Sequence, residues 1–180
     1  MKKKRKNNVI VAKIIFFFLI ILILTLFIFA FYFAISKFFV IENEKIETVD
    51  GDTIKFGDKY FRSLYIDAPE LHEQKQKFLS ITKISNETCL KYFAKKAKEF
   101  VEKRKNSLSI FYLFFLKDKY NRFLAEFNYK NGSSFDIQLV ENGYAICYYR
   151  EKIFYLPKTE ECLKKETEAR KNKIGLWSCK

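Results

Sequence analysis

A single histidine, His72, is all that the 180 residues hold, and it lies in a polar stretch far from every cysteine. Histidine cages for metals, and nucleophilic relays that lean on an imidazole, therefore have almost no material here; a lone loop histidine is ordinarily solvated. Acidic residues are missing altogether from residues 1–37, which nevertheless carry seven of the 34 lysines and arginines. Residues 14–36 lack both charge and proline. The four cysteines, Cys89, Cys147, Cys162 and Cys179, fall into no zinc-ligand spacing. Their even number allows two disulfides, in three pairings that the sequence does not choose between, and Cys147 is equally readable as a buried thiol in a core strand.

The missing charges divide the chain. Lys2-Lys3-Lys4-Arg5-Lys6 precedes the apolar run, and Lys13 interrupts it early. The 23 uncharged residues from Ile14 to Ser36 are enough, at about 1.5 Å per residue, to span a bilayer core of about 30 Å. That length exceeds the apolar region of a cleaved signal, though Ala34-Ile35-Ser36 resembles a cleavage site. The expectation is residues 1–13 as a basic cytoplasmic N-terminus, 14–36 as a transmembrane anchor, 37–45 as a linker and 46–180 as a domain outside the membrane. The excess of basic residues on the N-terminal side sets that orientation; cleavage would release the domain. Beyond residue 37 there remain 27 basic residues against 21 acids, a net of +6 within the formal +13. So modest and interspersed an excess argues against a protein whose charge alone is its function.

The chemistry concentrates in Val49–Leu71. Gly57-Asp58, a favoured two-residue hairpin loop, separates Thr53–Phe56 from Lys59–Ile66, both rich in strand formers. Folding back there brings Asp52 to within a residue of Arg62 and Ser63. Ala68-Pro69 stops the second strand, and Glu70 emerges at the turn. Carboxylates and a guanidinium thus converge at one end of a hairpin. Two carboxylates and a backbone carbonyl suit a calcium-type ion. A further carboxylate can deprotonate or orient water, and arginine presents a planar fork to phosphate oxygens. Solvated turn acids are the plainer reading of each residue taken singly.

Farther on, Leu71–Thr88 reads as a long polar loop, followed by a helix over Cys89–Arg104 capped by Asn86 or Thr88. Ser107–Leu116 reads as a central strand buried on both faces, with Arg122–Tyr129 returning beside it after a turn at Asp118–Asn121. A short helix over Asp136–Asn142 ends at Gly143, Tyr144–Tyr149 forms a strand, and a last helix covers Glu160–Lys173. Five short strands with helices between and after them point to a small barrel.

Asp-Gly-Asp-Thr at 50–53, Arg62, Ile-Asp-Ala-Pro-Glu at 66–70, Asp-Lys-Tyr-Asn-Arg at 118–122, Leu-Val-Glu-Asn-Gly-Tyr-Ala at 139–145 and Gly-Leu-Trp-Ser at 175–178, taken in order, resemble the staphylococcal nuclease (thermonuclease) family over Ile46–Ser178. The resemblance implies an α+β fold: an OB-type five-stranded β-barrel with about three helices. It implies Ca2+ held by Asp52, Asp67 and the Ala68 carbonyl, with Asp50 an acid behind them. Arg62 and Arg122 would grip the scissile phosphate, with Glu70 the general base or water-orienter. Lys119 and Tyr120 would contact a phosphate of the bound strand, and Tyr149, or Tyr148 beside it, would stack on a base. Asn121 replaces a common glycine but tolerates left-handed backbone. The implied activity is calcium-dependent, sequence-nonspecific hydrolysis of DNA and RNA to 3′-phosphates, without an obligate protein partner. A membrane-tethered receptor that binds nucleic acid for uptake without cutting it is the alternative; a glutamate beside two arginines argues against it.

Overall fold

The computed structural model describes residue 13 and residues 15–29, 39–41, 45–148 and 158–179, apart from the side chains of residues 39, 40, 113 and 114. Two units result, Met1–Phe38 and Phe39–Lys180. In the first, residues 15–29 are helical with exposed apolar side chains. Among the described residues no helix is long and apolar enough to cross a membrane. This stretch covers about 22 Å against the roughly 30 Å of a bilayer core; the rest of the span expected over 14–36 lies outside the described residues.

The second unit runs β1 (Phe39–Ile41), β2 (Ile46–Thr48), β3 (Thr53–Phe56), β4 (Lys59–Ser63), β5 (Ile66–Asp67), α1 (Gln76–Thr82), α2 (Glu87–Glu102), β6 (Leu108–Lys117), β7 (Phe123–Tyr129), α3 (Phe135–Glu141), β8 (Ile146–Cys147) and α4 (Lys158–Lys171), closed by a 3-10 turn, Gly175–Ser178. Six strands form one sheet in the order β1-β6-β7-β4-β3-β2, and β5 pairs with β8 in a separate ribbon. Only β4 and β7 run parallel among these pairs. The result is a mixed-sheet α+β fold of OB type.

Several expectations need correction. Among the described residues the main sheet has six strands rather than five, because the apolar triplet Phe39–Ile41, expected within the linker, pairs with β6 at the sheet edge. The second hairpin strand does not run unbroken to Ile66: it ends at Ser63, and Ile66–Asp67 turn to pair with β8. Tyr144–Tyr149 supplies only that two-residue strand within its described part. The loop expected over Leu71–Thr88 contains α1, giving four α-helices among the described residues of this unit. Buried Phe78 anchors α1, but one large apolar residue in seven makes a weak periodic signal. The central strand is buried on both faces only at its start, since Phe115 is exposed.

Other features follow the residues closely. Asn86 caps α2 by accepting from the Cys89 N–H at 3.0 Å, leaving a buried stripe of Leu90, Ala94, Ala97 and Val101. That stripe meets the Asp50-Gly51-Asp52 turn so closely that a Cβ on Gly51 would lie 2.6 Å from Ala97 Cβ and 2.8 Å from Ala68 Cβ. Glycine here lets α2 press the acidic turn against β5. Both disulfides form, Cys89–Cys179 and Cys147–Cys162. The core has two parts: one under the main sheet, around Phe61, Ile110 and Phe127, and one around Phe78, Leu90, Ile146 and Trp177.

Candidate active site

The hairpin register sets Thr53 opposite Arg62, and the Ser63 N–H donates to the Asp52 carbonyl at 2.8 Å. Arg62, 2% exposed, then reaches two buried acids. Its Nη1 donates to Asp52 Oδ1 at 2.8 Å, and its Nη2 pairs with Asp67 Oδ1. Among the described residues, the buried Arg62 Nε has no hydrogen-bond partner. Asp52 also accepts from the Thr53 hydroxyl at 2.8 Å and the Ala68 N–H at 3.0 Å.

Lys75 enters from the segment just before α1. Its Nζ lies 2.5 Å from Glu70 Oε1 and 3.3 Å from Asp67 Oδ1. Gln74 steadies Glu70 from the same segment, accepting from its N–H at 3.0 Å and donating to its carbonyl at 2.5 Å. On the other side, Asp118 builds the β6–β7 turn, taking the N–H groups of Tyr120 and Arg122 at 2.9 and 3.0 Å and the Arg122 guanidinium at 2.7–2.8 Å. Asn121 completes that turn with φ of 64°, the left-handed backbone expected of it, and accepts from Lys117 Nζ at 2.8 Å. Arg122 Nη1 then donates to the Thr53 hydroxyl at 3.3 Å.

One polar network therefore runs Glu70–Lys75–Asp67–Arg62–Asp52–Thr53–Arg122–Asp118. It opens on a cleft of about 440 Å³ lined by Tyr60, Glu70, Lys75, Tyr120 and Arg122. Arg62 lies behind that cleft rather than in its wall, buried between its aspartates.

The charges are unevenly matched. Among the described residues, Asp50, Asp52, Asp67 and Glu70 face Arg62 and Lys75 as nearby cations, while Arg122 is engaged by Asp118. One guanidinium cannot satisfy two buried carboxylates equally. Burial works to raise the pKa of Asp52, but Arg62, the Ala68 N–H and Lys75 hold it below its ordinary value. Asp67 is pushed up by burial and by Asp52, against Arg62 and Lys75. Burial, Asp52 and Glu70 raise Asp50 to about 7, even though it accepts the Asp52 N–H at 3.0 Å.

The structure brings Asp50, Asp52, Arg62, Asp67, Ala68, Glu70, Tyr120 and Arg122 into this neighbourhood. Lys119 stands at its rim, Nζ 4.9 Å from the Tyr120 ring centroid. Tyr149 lies outside the described residues. Tyr148 is half-buried, its N–H on the Tyr65 carbonyl at 2.7 Å and Lys77 Nζ 4.5 Å from its ring. His72 is exposed, as its setting suggested. Sequence reading missed Lys75, Asp118 and Tyr60. Asp118 stands in the sequence as a turn residue and as the start of the 118–122 motif without a role of its own, although an acid four residues before an arginine across a tight turn can hold it.

Hard oxygen donors, with four carboxylates against two cations, suit a divalent ion. Among the described residues, however, no three Asp, Glu, His or Cys side chains are grouped to hold a metal; Arg62 lies between Asp52 and Asp67 instead.

Fold and site together define a small OB-type α+β domain whose acidic hairpin end faces an arginine across a cleft. The family profile described as "Staphylococcal nuclease homologue" matches residues 60–179. The chain is also 33% identical over 148 residues to the uncharacterized protein MJ1439 of Methanocaldococcus jannaschii, covering 74% of this chain and 70% of that relative. The chain belongs to the staphylococcal nuclease family. The profile match takes in Arg62, Asp67, Glu70 and Lys119–Arg122; Asp50 and Asp52 precede it and join the site through the hairpin. At family level this means nuclease-type hydrolase chemistry on nucleic acid.

Proposed function

We propose that this protein is a calcium-dependent, sequence-nonspecific phosphodiesterase that hydrolyses DNA and RNA to 3′-phosphate products. The observation that carries the reading is the continuous network joining Glu70 to Arg122 along one cleft, with a second arginine held behind it by two acids. Asp52, Asp67 and the Ala68 carbonyl would hold Ca2+, with Asp50 behind them. Bound there, the ion supplies charge neutralisation and Lewis acidity at the phosphate. Arg122, fixed by Asp118, meets the phosphate oxygens in the cleft, and Arg62 adds its fork once it is released from its aspartates. Glu70 takes a proton from water attacking phosphorus; the bond to the 5′-oxygen breaks with its electron pair leaving on that oxygen, which takes up a proton from solvent to depart as a 5′-hydroxyl. Lys119 and Tyr120 hold the neighbouring backbone; contacts of this kind carry no sequence information.

The same proposal includes location. The basic N-terminus stays in the cytoplasm, the apolar stretch over 14–36 tethers the chain in the membrane, and the domain faces outward, or is secreted if the stretch is cleaved. Sequence patterning supports the tether, and the two disulfides fit an oxidising compartment.

The test is degradation of single-stranded DNA by the full chain in detergent, with calcium or excess chelator, comparing wild type with Glu70→Gln. Calcium-dependent cleavage that drops about 100- to 10,000-fold in the variant is expected. Binding without cleavage under every condition would overturn the reading and leave a tethered receptor.

A further inference from the structure

Tyr60 has no role in the chemistry above, yet it lines the same cleft as Glu70, Lys75, Tyr120 and Arg122. Its direction follows from strand geometry. Phe61 is fully buried in the sheet core, stacked on Phe123 at 5.4 Å, so the residue before it must point to the opposite face. That face is also the one Arg62 uses, two residues on, about 7 Å away at the rise of a strand. Tyr60 is 43% exposed and Tyr120 is 65% exposed. Two solvent-accessible aromatic side chains therefore wall a cleft whose remaining lining is an acid and two cations.

Aromatic faces next to phosphate-gripping cations match what a nucleotide offers: an anion with a flat apolar ring one linkage away. We propose that Tyr60 is a base-stacking subsite, seating the nucleobase adjacent to the phosphate held at Arg122. This rests on the proposed nuclease reading and adds a specificity-determining residue to it. Stacking accepts any base, so the subsite adds affinity for unpaired nucleotides without sequence preference. A paired base, stacked within its duplex, cannot present its face to the ring.

The experiment measures equilibrium binding of two fluorescent probes of equal length and charge, an oligothymidylate and an abasic oligonucleotide. The proteins are full-length wild type, Tyr60→Ala and Tyr60→Phe, in calcium with the Glu70→Gln background to prevent cutting. Tyr60→Ala should weaken oligothymidylate binding about tenfold and leave the abasic probe within twofold, while Tyr60→Phe keeps wild-type affinity for both. Equal affinity of wild type and Tyr60→Ala for the oligothymidylate, or an equal loss on both probes, overturns the subsite. Failure of the nuclease reading shows itself differently: the Glu70-intact protein leaves the oligothymidylate uncut whatever Tyr60 does.

Discussion

The two ends of this small domain are held together by opposite means. Behind the cleft, Arg62 is enclosed by Asp52 and Asp67, with Thr53 and Lys75 beyond. On the helical side, Phe78, Leu90, Ile146, Leu176 and Trp177 pack an apolar core around the Cys89–Cys179 bridge. Apolar contacts and covalent links suit a region whose task is to persist. A buried ion cluster suits that task poorly, because apolar residues of similar volume often stabilise as well or better. Charge kept at the hairpin end is therefore better explained by chemistry done there than by the needs of the fold.

Removing the covalent links should give the largest effect. In the loop-closure account, a bridge across 90 residues stabilises by about 4–5 kcal/mol and one across 15 by about 3. Together that rivals the whole stability of many domains. Urea unfolding with and without reductant should show the midpoint collapse, or the cooperative transition vanish, on reduction. An unchanged midpoint would leave the two ends of the molecule alike in kind.

Breaking the charged end comes next. Arg62→Ala leaves two buried carboxylates without their guanidinium and should cost about 3–5 kcal/mol. If Asp52 and Asp67 are also cation ligands, millimolar calcium should recover part of the loss in thermal unfolding, and should raise the Tm of the variant more than that of wild type. No calcium effect on the variant would separate the acid pair from metal binding.

Asp136, buried at the start of α3, sharpens the contrast by pH. It accepts the Phe127 N–H at 3.1 Å, and burial, against that N–H and the nearby Ser63 hydroxyl, raises its pKa to about 7. For an acid raised in the folded state, the folded protein holds the proton longer than the unfolded chain. This group's contribution is most favourable below about pH 4, falls as pH rises to about 7 and is flat beyond, for at most about 4 kcal/mol. Asp136→Asn should abolish that fall, so its stability relative to wild type rises between pH 4 and 7. A parallel pair of stability curves would remove Asp136 from the account.

Much of this was legible in the residues. Gly57-Asp58 with flanking strand formers located the hairpin, and the hairpin alone delivered Asp52 to Arg62. Asn86 and its apolar stripe placed α2 within two residues. What stayed hidden depends on contacts distant in the chain. Phe39–Ile41 is too short to read as a strand until β6 offers its edge. Phe78 signals α1 only once the Trp177 cluster exists to bury it. Disulfide pairing required Cys89 and Cys179, ninety residues apart, to meet. Lys75 looked like any loop lysine, because nothing local says that α1 aims it at two acids.

Lys75 joins the two regions: α1 follows it into the apolar core, while its ammonium sits on Glu70 and Asp67. Lys75 and Glu70 are partly exposed, and buried Asp67 keeps Arg62 as its partner, so Lys75→Met should cost less stability than Arg62→Ala. Its effect on nucleic acid should be disproportionate. With the cation gone, Glu70 and Asp67 confront an incoming phosphate with one less positive charge in the cleft. Oligothymidylate affinity should fall severalfold, and the slope of log affinity against log salt should become shallower by about 0.7, the signature of one lost phosphate contact on a single strand. Lys75→Arg should restore the slope. An unchanged slope in Lys75→Met would make Lys75 a tether between the two regions and nothing more, since an ammonium occupied wholly by its own carboxylates displaces no counterion from the strand.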